Sequence, residues 1–403
     1  VLRVSHRRRQ GLPRLQVAAR PPPVCSEGMS EEQPLTWAEV DVAAIAHNVR
    51  EVKRWLGPDI HLLPIVKANA YGHGAVEVAR AVLKAGADAL GVARVEEGVQ
   101  LRIARVYAPI VIMGHTPIWD AEEVVAHALT PTVNSLELAE ELSHIAERRM
   151  VSLPVQIKVD TGLIRYGSLP EEAIELAAAV HQVPNLNLEG IYTHFACGED
   201  EDPDYTREQL DRFQEVVRTL RERGVEFRFQ HAGHVTNVGM PDLQLNMVRI
   251  GLAVYGLSPA PNMAAEMELR PAMSLKSRLI RITSIPAGQS VGYGRTFVSS
   301  REARIGTVPI GYGDGLDWRL QNKGSALVHG RRVPIVGRIS MDNITVDLTE
   351  VPEAALGDEV VLLGCQSGAR ITAEELAALS GTISYDIPCS ITARVPRLYT
   401  GTA

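Results

Sequence analysis

Residues 62–74 read LLPIVKANAYGHG: an apolar run of strand composition stops at a lysine, Lys67, which Asn69, Tyr71, Gly72, His73 and Gly74 follow. A strand buried on both faces reads as an unbroken apolar run. A lysine directly after it lies at the rim of a buried layer, whereas an ordinary lysine is a solvated surface group. Seven more such runs occur downstream, at 88–92 (DALGV), 109–113 (PIVIM), 130–133 (TPTV), 155–159 (VQIKV), 188–192 (LEGIY), 226–230 (EFRFQ) and 246–250 (NMVRI). The segments between them are rich in Ala, Glu and Arg, and 171–180 and 206–223 repeat apolar residues every three or four positions, as an amphipathic helix does. Eight strand and helix alternations predict an α/β fold, a closed (β/α)8 TIM-like barrel.

Such a barrel occupies roughly 250 residues, so a second unit follows. Beyond the Pro- and Met-containing stretch 258–273 the pattern changes to strand-like runs separated by Gly, Pro and Asp: SLKSRLIRITSI, ARIGTVPI, VPIVGRI, ITVDL and EVVLLG, with one helix candidate at 373–379. The expected organisation is a barrel over 29–270 and a mostly β domain over 271–403. Residues 1–28 stand apart. They carry six arginines against one acid, Glu27, and then Pro21, Pro22 and Pro23, a composition that predicts disorder. No apolar core follows those arginines to make a secretory signal, and no stretch approaches the length of a membrane span. A cytoplasmic protein is expected.

Leaving out 1–28 lowers Lys+Arg from 41 to 35 and Asp+Glu from 48 to 47, a net charge of −12 over 375 residues. A body so acidic repels phosphate backbones and argues against nucleic-acid binding. Cys25, Cys197, Cys365 and Cys389 form no CxxC pair, so neither a disulfide framework nor a thiolate zinc site is indicated.

In this fold catalytic groups stand on the loops that follow the strands. Here those positions hold Lys67, Lys158, Arg165, Thr193, His194, His231, Arg249 and Gly251. Three chemistries could use such a mouth. Metal-dependent hydrolysis needs clustered His and carboxylates, but no HxH or HExxH spacing is present. A lysine-only Schiff-base aldolase leaves the arginines and the glycine after the eighth strand without a use. Pyridoxal 5'-phosphate needs an imine lysine, donors for its phosphate and a partner for its ring nitrogen. It employs all of these residues.

At this level of detail the chain resembles the alanine racemase family, from about residue 37 to 397. The most specific motif is VKANAYGHG (66–74). KVDTGLIRYG (158–167), GIYTHF (190–195), VRIGLAVYGL (248–257), VGYGRTF (291–297), PIGYGDG (309–315), VGRISMDN (336–343) and ISYDIPCSITARVPR (383–397) follow in the family's order. The resemblance implies that Lys67 carries the cofactor and serves one face of the substrate α-carbon, while Tyr293 serves the other from a second subunit. Inversion needs a base on each face, since a single base would return its own proton. A homodimer with shared active sites is thereby implied, acting on alanine and supplying D-alanine for peptidoglycan.

The same resemblance puts Arg249 opposite the pyridine nitrogen, where a guanidinium offers donors only and leaves that nitrogen unprotonated. His194 lies near the ring. Tyr71, Tyr385, Gly251 and Leu252 match phosphate contacts, and Arg165 and the Met341 backbone match contacts to the substrate carboxylate. Tyr312 pairs with Tyr385 at a narrow entrance, and Asp342 is a supporting residue of the site. Lys158 matches a lysine that some members carry as a carbamate. One segment departs from the family: HAGHVTNV (231–238) places Val235 where relatives offer a serine hydroxyl, and only a one-residue shift brings in Thr236. Rival functions on this scaffold are a broad-specificity racemase, a basic-amino-acid decarboxylase and a non-catalytic carrier of the cofactor.

Overall fold

Apolar runs bounded by turns form the strands of this chain, and the register of their pairing decides which loops meet. The computed structural model describes residues 34–198, 203–233, 245–257 and 267–401. In chain order β1 (Trp37–Asp41) precedes the barrel strands β2 (His61–Pro64), β3 (Leu90–Val92), β4 (Ile110–Ile112), β5 (Thr132–Val133), β6 (Leu153–Lys158), β7 (Leu186–His194), β8 (Phe229–Gly233) and β9 (Met247–Ile250). Strands β5 to β9 and β2 form one parallel ladder, with β9 pairing back onto β2 from His61↔Met247 to Pro64↔Ile250. Strand β3 pairs with β4, and single bridges Ile65↔Gly91 and Val111↔Thr130 join this pair to its neighbours. The ring is closed in sequence order, as the eight apolar runs predict.

The layer outside the ring is helical. Val42–Trp55 begins where the Asp41 carboxylate accepts from the N–H groups of Ala43 and Ala44 at 2.9 and 3.0 Å, the side-chain cap that an N-terminus needs. Its fully buried Asn48 donates to Val254 O and Arg270 O and accepts from Arg270 N. A single amide thus ties this helix to the chain leaving the barrel. Helices Pro170–His181 and Asp204–Glu222 stand where the periodicity at 171–180 and 206–223 puts them.

The mostly β part contains a sheet in which β1 lies between two distant segments. It runs antiparallel to Met273–Arg278 and parallel to Arg397–Thr400. That sheet continues through Glu359–Gln366, Ser325–Val328 and Arg331–Pro334. A second sheet comprises Arg281–Ile285, Ala303–Val308 and Ile344–Asp347, and the expected helix spans Ala373–Ser380. The strand Trp37–Asp41 is absent from the sequence reading, because WAEVD is short and mixed in polarity and takes both neighbours from more than 200 residues away. The basic extension 1–28 and the Val235/Thr236 question lie outside the described residues. Among the described residues no helix is long and apolar enough to cross a membrane, and no group of three His, Cys, Asp or Glu is disposed to hold a metal ion.

Candidate active site

Lys67 opens a turn of left-handed helix. Ala68, Asn69, Ala70 and Tyr71 all have φ between +51° and +54°, and Gly72 and Gly74 follow at +83° and +99°. A left-handed conformation costs an L-residue roughly 1–2 kcal/mol, so four in succession mark stored strain of the kind found at functional sites. The turn is held by Ala70 N–H to Val66 O, Gly72 N–H to Ala68 O and Gly74 N–H to Asn69 O, at 2.9 to 3.0 Å. The glycines have a second reason. A Cβ on Gly72 would stand 2.0 Å from Pro388 O, and one on Gly74 would meet the Tyr399 hydroxyl. Arg397 completes the closure by donating from Nε to Gly72 O at 2.9 Å.

Burial lowers the basicity of the Lys67 amine, the Arg165 charge lowers it further, and Glu97 and Cys389 oppose them. The amine lies 5.9 Å from the centre of the Tyr71 ring. Tyr71 packs on Tyr255 at 4.9 Å and faces Tyr385 at 6.4 Å. Gly251 leaves the Tyr71 hydroxyl its space, since a Cβ there would approach it to 2.7 Å, and Leu252 opens the short turn beyond. Tyr255 is a packing residue, as AVYGL suggests: it is buried and donates to Ile65 O at 2.8 Å.

Across the mouth, Arg249 is buried and donates to Thr193 O at 2.6 Å, to His194 Nδ1 at 3.2 Å and to His231 Nδ1. Burial lowers the guanidinium to about 10, which leaves it charged at neutral pH. Because His231 Nδ1 accepts, its Nε2–H donates to Gln156 Oε1 at 2.8 Å. Burial, then the Arg249 charge, holds this imidazole neutral, and it stacks on Tyr192 at 4.9 Å.

Lys158 is 2% exposed, and its Nζ has no hydrogen-bond partner. The ring of Tyr166 lies 4.2 Å from this ammonium and 5.0 Å from the Arg165 guanidinium, and the Asp160 carboxylate is 4.0 Å from Nζ. Burial, then Arg165, pulls the amine down to about 8, Asp160 resists and Arg249 adds to the fall. Asp160 accepts from the N–H groups of Gly162, Ile164 and Arg165 at 2.8 to 3.1 Å and thereby fixes the loop that presents Arg165. Burial pushes the Asp160 carboxyl up, but those donors and Lys158 outweigh it and hold it below the ordinary aspartate value.

The barrel mouth therefore brings together Lys67, Tyr71, Lys158, Arg165, His194, Arg249, Gly251, Leu252 and Tyr385. Tyr293, Tyr312, Met341 and Asp342 are elsewhere. They stand on loops of the β domain, the first three being 71%, 45% and 52% exposed. Those loops are fixed within their own domain by Tyr312 N–H to Ser340 O, Gly313 N–H to Met341 O and the Arg394–Asp342 ion pair at 2.7 Å. No hydrogen bond or ion pair among the described residues joins them to the mouth. Sequence reading placed His231 at the mouth without a specific partner and gave no role to Gln156, Tyr166, Asp160 or Glu97. Asp160 and Tyr166 sit inside KVDTGLIRYG and were open to notice. Gln156 and His231 lie on non-adjacent strands, and only the ring closure makes them partners.

A closed barrel that gathers two arginines and two desolvated lysines at the carboxyl end of its strands is the architecture of an enzyme for small anionic molecules. The chain matches the alanine racemase N-terminal domain over residues 40–259 and the alanine racemase C-terminal domain over 272–399. It is 41% identical to alanine racemase 2 of Caldanaerobacter subterraneus over 92% of this chain and 96% of that one. It is 41% identical to the alanine racemase of Desulfovibrio desulfuricans over 90% and 97%. Among solved structures, that of alanine racemase from Streptomyces lavendulae superposes with a TM-score of 0.87 at 36% identity, covering 92% of this chain and 99% of that one. The Bacillus anthracis alanine racemase with bound L-Ala-P gives 0.86 at 36%, over 92% and 96%. The chain belongs to the alanine racemase family, a family of isomerases.

Proposed function

We propose that this chain is a pyridoxal-phosphate-dependent alanine racemase, which interconverts L- and D-alanine with Lys67 on one face of the α-carbon and Tyr293 of a second copy on the other. The observation that carries the proposal is the charge of the mouth. Burial lowers the basicity of Lys67, Lys158 and Arg249, the Arg165 charge lowers each of them further, and Glu97 and Asp160 are too few to balance the four cations. A phosphate and a substrate carboxylate supply the missing negative charge, and we assign the phosphate to the Tyr71 hydroxyl and the Gly251 turn, which approach so closely that a Cβ on Gly251 would lie 2.7 Å from that hydroxyl. The cofactor, when bound, supplies the electron withdrawal that acidifies the α-hydrogen.

The chain's own groups do the rest. Lys67 holds the cofactor and then takes or gives a proton at Nζ, a task suited to an amine already less basic than an ordinary lysine. Arg249, restrained by Thr193, His194 and neutral His231, offers the ring nitrogen donors and no acceptor. Tyr71, Tyr385, Gly251 and Leu252 surround the phosphate. Arg165, set by Asp160, takes the substrate carboxylate together with the Met341 backbone of the second copy, and Tyr312 of that copy narrows the approach with Tyr385 to favour a methyl side chain. Asp342 supports Met341 through its pair with Arg394. Lys158 is suited to carbamate formation. Its neutral amine can add carbon dioxide and release a proton, which replaces a buried amine that lacks a hydrogen-bond partner by an anion beside Arg165.

The exposed position of Tyr293 supports a homodimer with active sites shared between subunits. Small molecules bound in relatives, L-Ala-P in the Bacillus anthracis enzyme and cycloserine in that of Clostridium difficile, support an amino-acid-sized substrate. We place the enzyme in the cytoplasm, away from nucleic acid and membrane, where it provides D-alanine for peptidoglycan. Incubation with L-alanine in heavy water tests the proposal. The cofactor-replete protein should exchange the α-hydrogen and accumulate D-alanine, and failure of both rejects a racemase.

A further inference from the structure

We propose that Glu97 is a positioning residue for Lys67: its carboxylate pins the left-handed turn that aims the lysine and brings a negative charge to that turn. The inference rests on Lys67 as the cofactor lysine. The first N–H of the strained turn, that of Ala68, finds no backbone acceptor and donates to Glu97 Oε1 at 2.6 Å. The other oxygen, Oε2, accepts from Ala93 N–H at 2.7 Å and Arg94 N–H at 3.2 Å. Glu97 is the third residue of helix Val95–Ile103, so its reach back to Arg94 is half of a capping box, which anchors the carboxylate on a regular element. One side chain therefore joins the loop after β2 to the loop after β3.

Two effects on Lys67 follow. A run of four left-handed residues persists only where its surroundings over-determine it, and the bond to Ala68 fixes the residue next to the lysine. The groups that act on the amine are Arg165, which disfavours its proton, Glu97 and Cys389, which favour it, and the Tyr71 ring. His73, on the same loop, is held neutral by burial, with a pKa of about 4. Glu97 thus offsets Arg165 and keeps the amine from losing its proton too readily for a group that must both accept and donate one.

Glutamine can keep the cap with its one carbonyl oxygen but then presents an NH2 to the Ala68 N–H, so it preserves the helix terminus while losing both the tie to the turn and the charge. Glu97→Gln therefore separates a helix cap from a partner of Lys67. The full chain, stripped of cofactor, is reductively methylated across a pH series, and the Lys67 peptide is quantified. Glu97→Gln should raise the labelling rate of Lys67 at pH 7 on the order of threefold to tenfold, because loss of a nearby opposite charge frees the amine of its proton. Glu96→Gln, an exposed neighbour, should leave the rate unchanged. Glu97→Ala should also weaken pyridoxal phosphate binding about tenfold, through the loosened turn; where it fails to fold, Glu97→Gln alone decides. A Glu97→Gln profile that superimposes on the wild type overturns the proposal. Borohydride reduction of the wild-type holoenzyme is the separate check: a pyridoxyl group on any lysine other than Lys67 rejects the cofactor reading and leaves the methylation result standing.

Discussion

The barrel mouth and the exposed loops of the β domain both carry family motifs, and they are built on opposite principles. Around Lys67, Lys158 and Arg249 the groups are desolvated, and strained backbone is locked by closely approaching glycines and short hydrogen bonds. Tyr293, Tyr312 and Met341 instead face outward on loops that are orderly but uncovered. Burial tunes the acid and base properties of the first region. The second, being exposed, has no such tuning within the chain. On the proposed site shared between two copies, catalysis is tied to assembly, whereas stability rests with the mouth.

The largest effect expected from this contrast is on activity. Tyr293→Phe should lower turnover about a hundredfold to ten-thousandfold, the scale of one general acid or base, while cofactor absorbance persists; Lys67→Ala should lose both. Steady-state racemisation and absorbance spectra check the pair. Mixing the two inactive variants under conditions of subunit exchange should then restore about a quarter of wild-type activity, since half of the dimers are hybrids with one intact composite site. No recovery would place both residues in one chain.

Stability should separate the regions in the other direction. Gly72→Ala adds a Cβ 2.0 Å from Pro388 O at φ +83° and should cost more than about 2 kcal/mol in denaturant unfolding. Tyr312→Phe should stay within about 0.5 kcal/mol. The smallest effect is one of pH. Lys158 titrates near 8 in the folded chain against 10.5 when unperturbed, so between these values the unfolded chain binds more protons and stability rises with pH. Lys158→Met should abolish that rise, measured by thermal unfolding in carbon-dioxide-free buffer from pH 7 to 10.5.

Much of the barrel was legible because parallel strands buried on both faces leave apolar runs that turn residues delimit. The mouth was legible as far as it lies on motif segments. What escaped depends on distant pairing. Alanine, asparagine and tyrosine give no sign that 68–71 will run left-handed, and the cause lies some 300 residues away at Pro388 and Arg397. Nothing in VEEGVQLRI marks Glu97 until the Ala68 N–H is seen to point at it. Gln156 and His231 meet only through the closure of the ring, and β1 is visible only beside its two remote neighbours.

The position of β1 also bears on the order in which the protein can be made. It waits for Met273–Arg278 on one edge and for Arg397–Thr400 on the other, while the barrel strands are all translated by residue 250. A nascent chain emerging from the ribosome can thus close its ring long before the sheet that holds β1 is complete. Gly72 keeps its carbonyl free of Arg397, and Tyr71 lacks Tyr385, until more than 300 further residues have been made. The strained turn that presents Lys67 is tightened from far downstream, so products truncated before Tyr385 carry the lysine without the clamp that sharpens it.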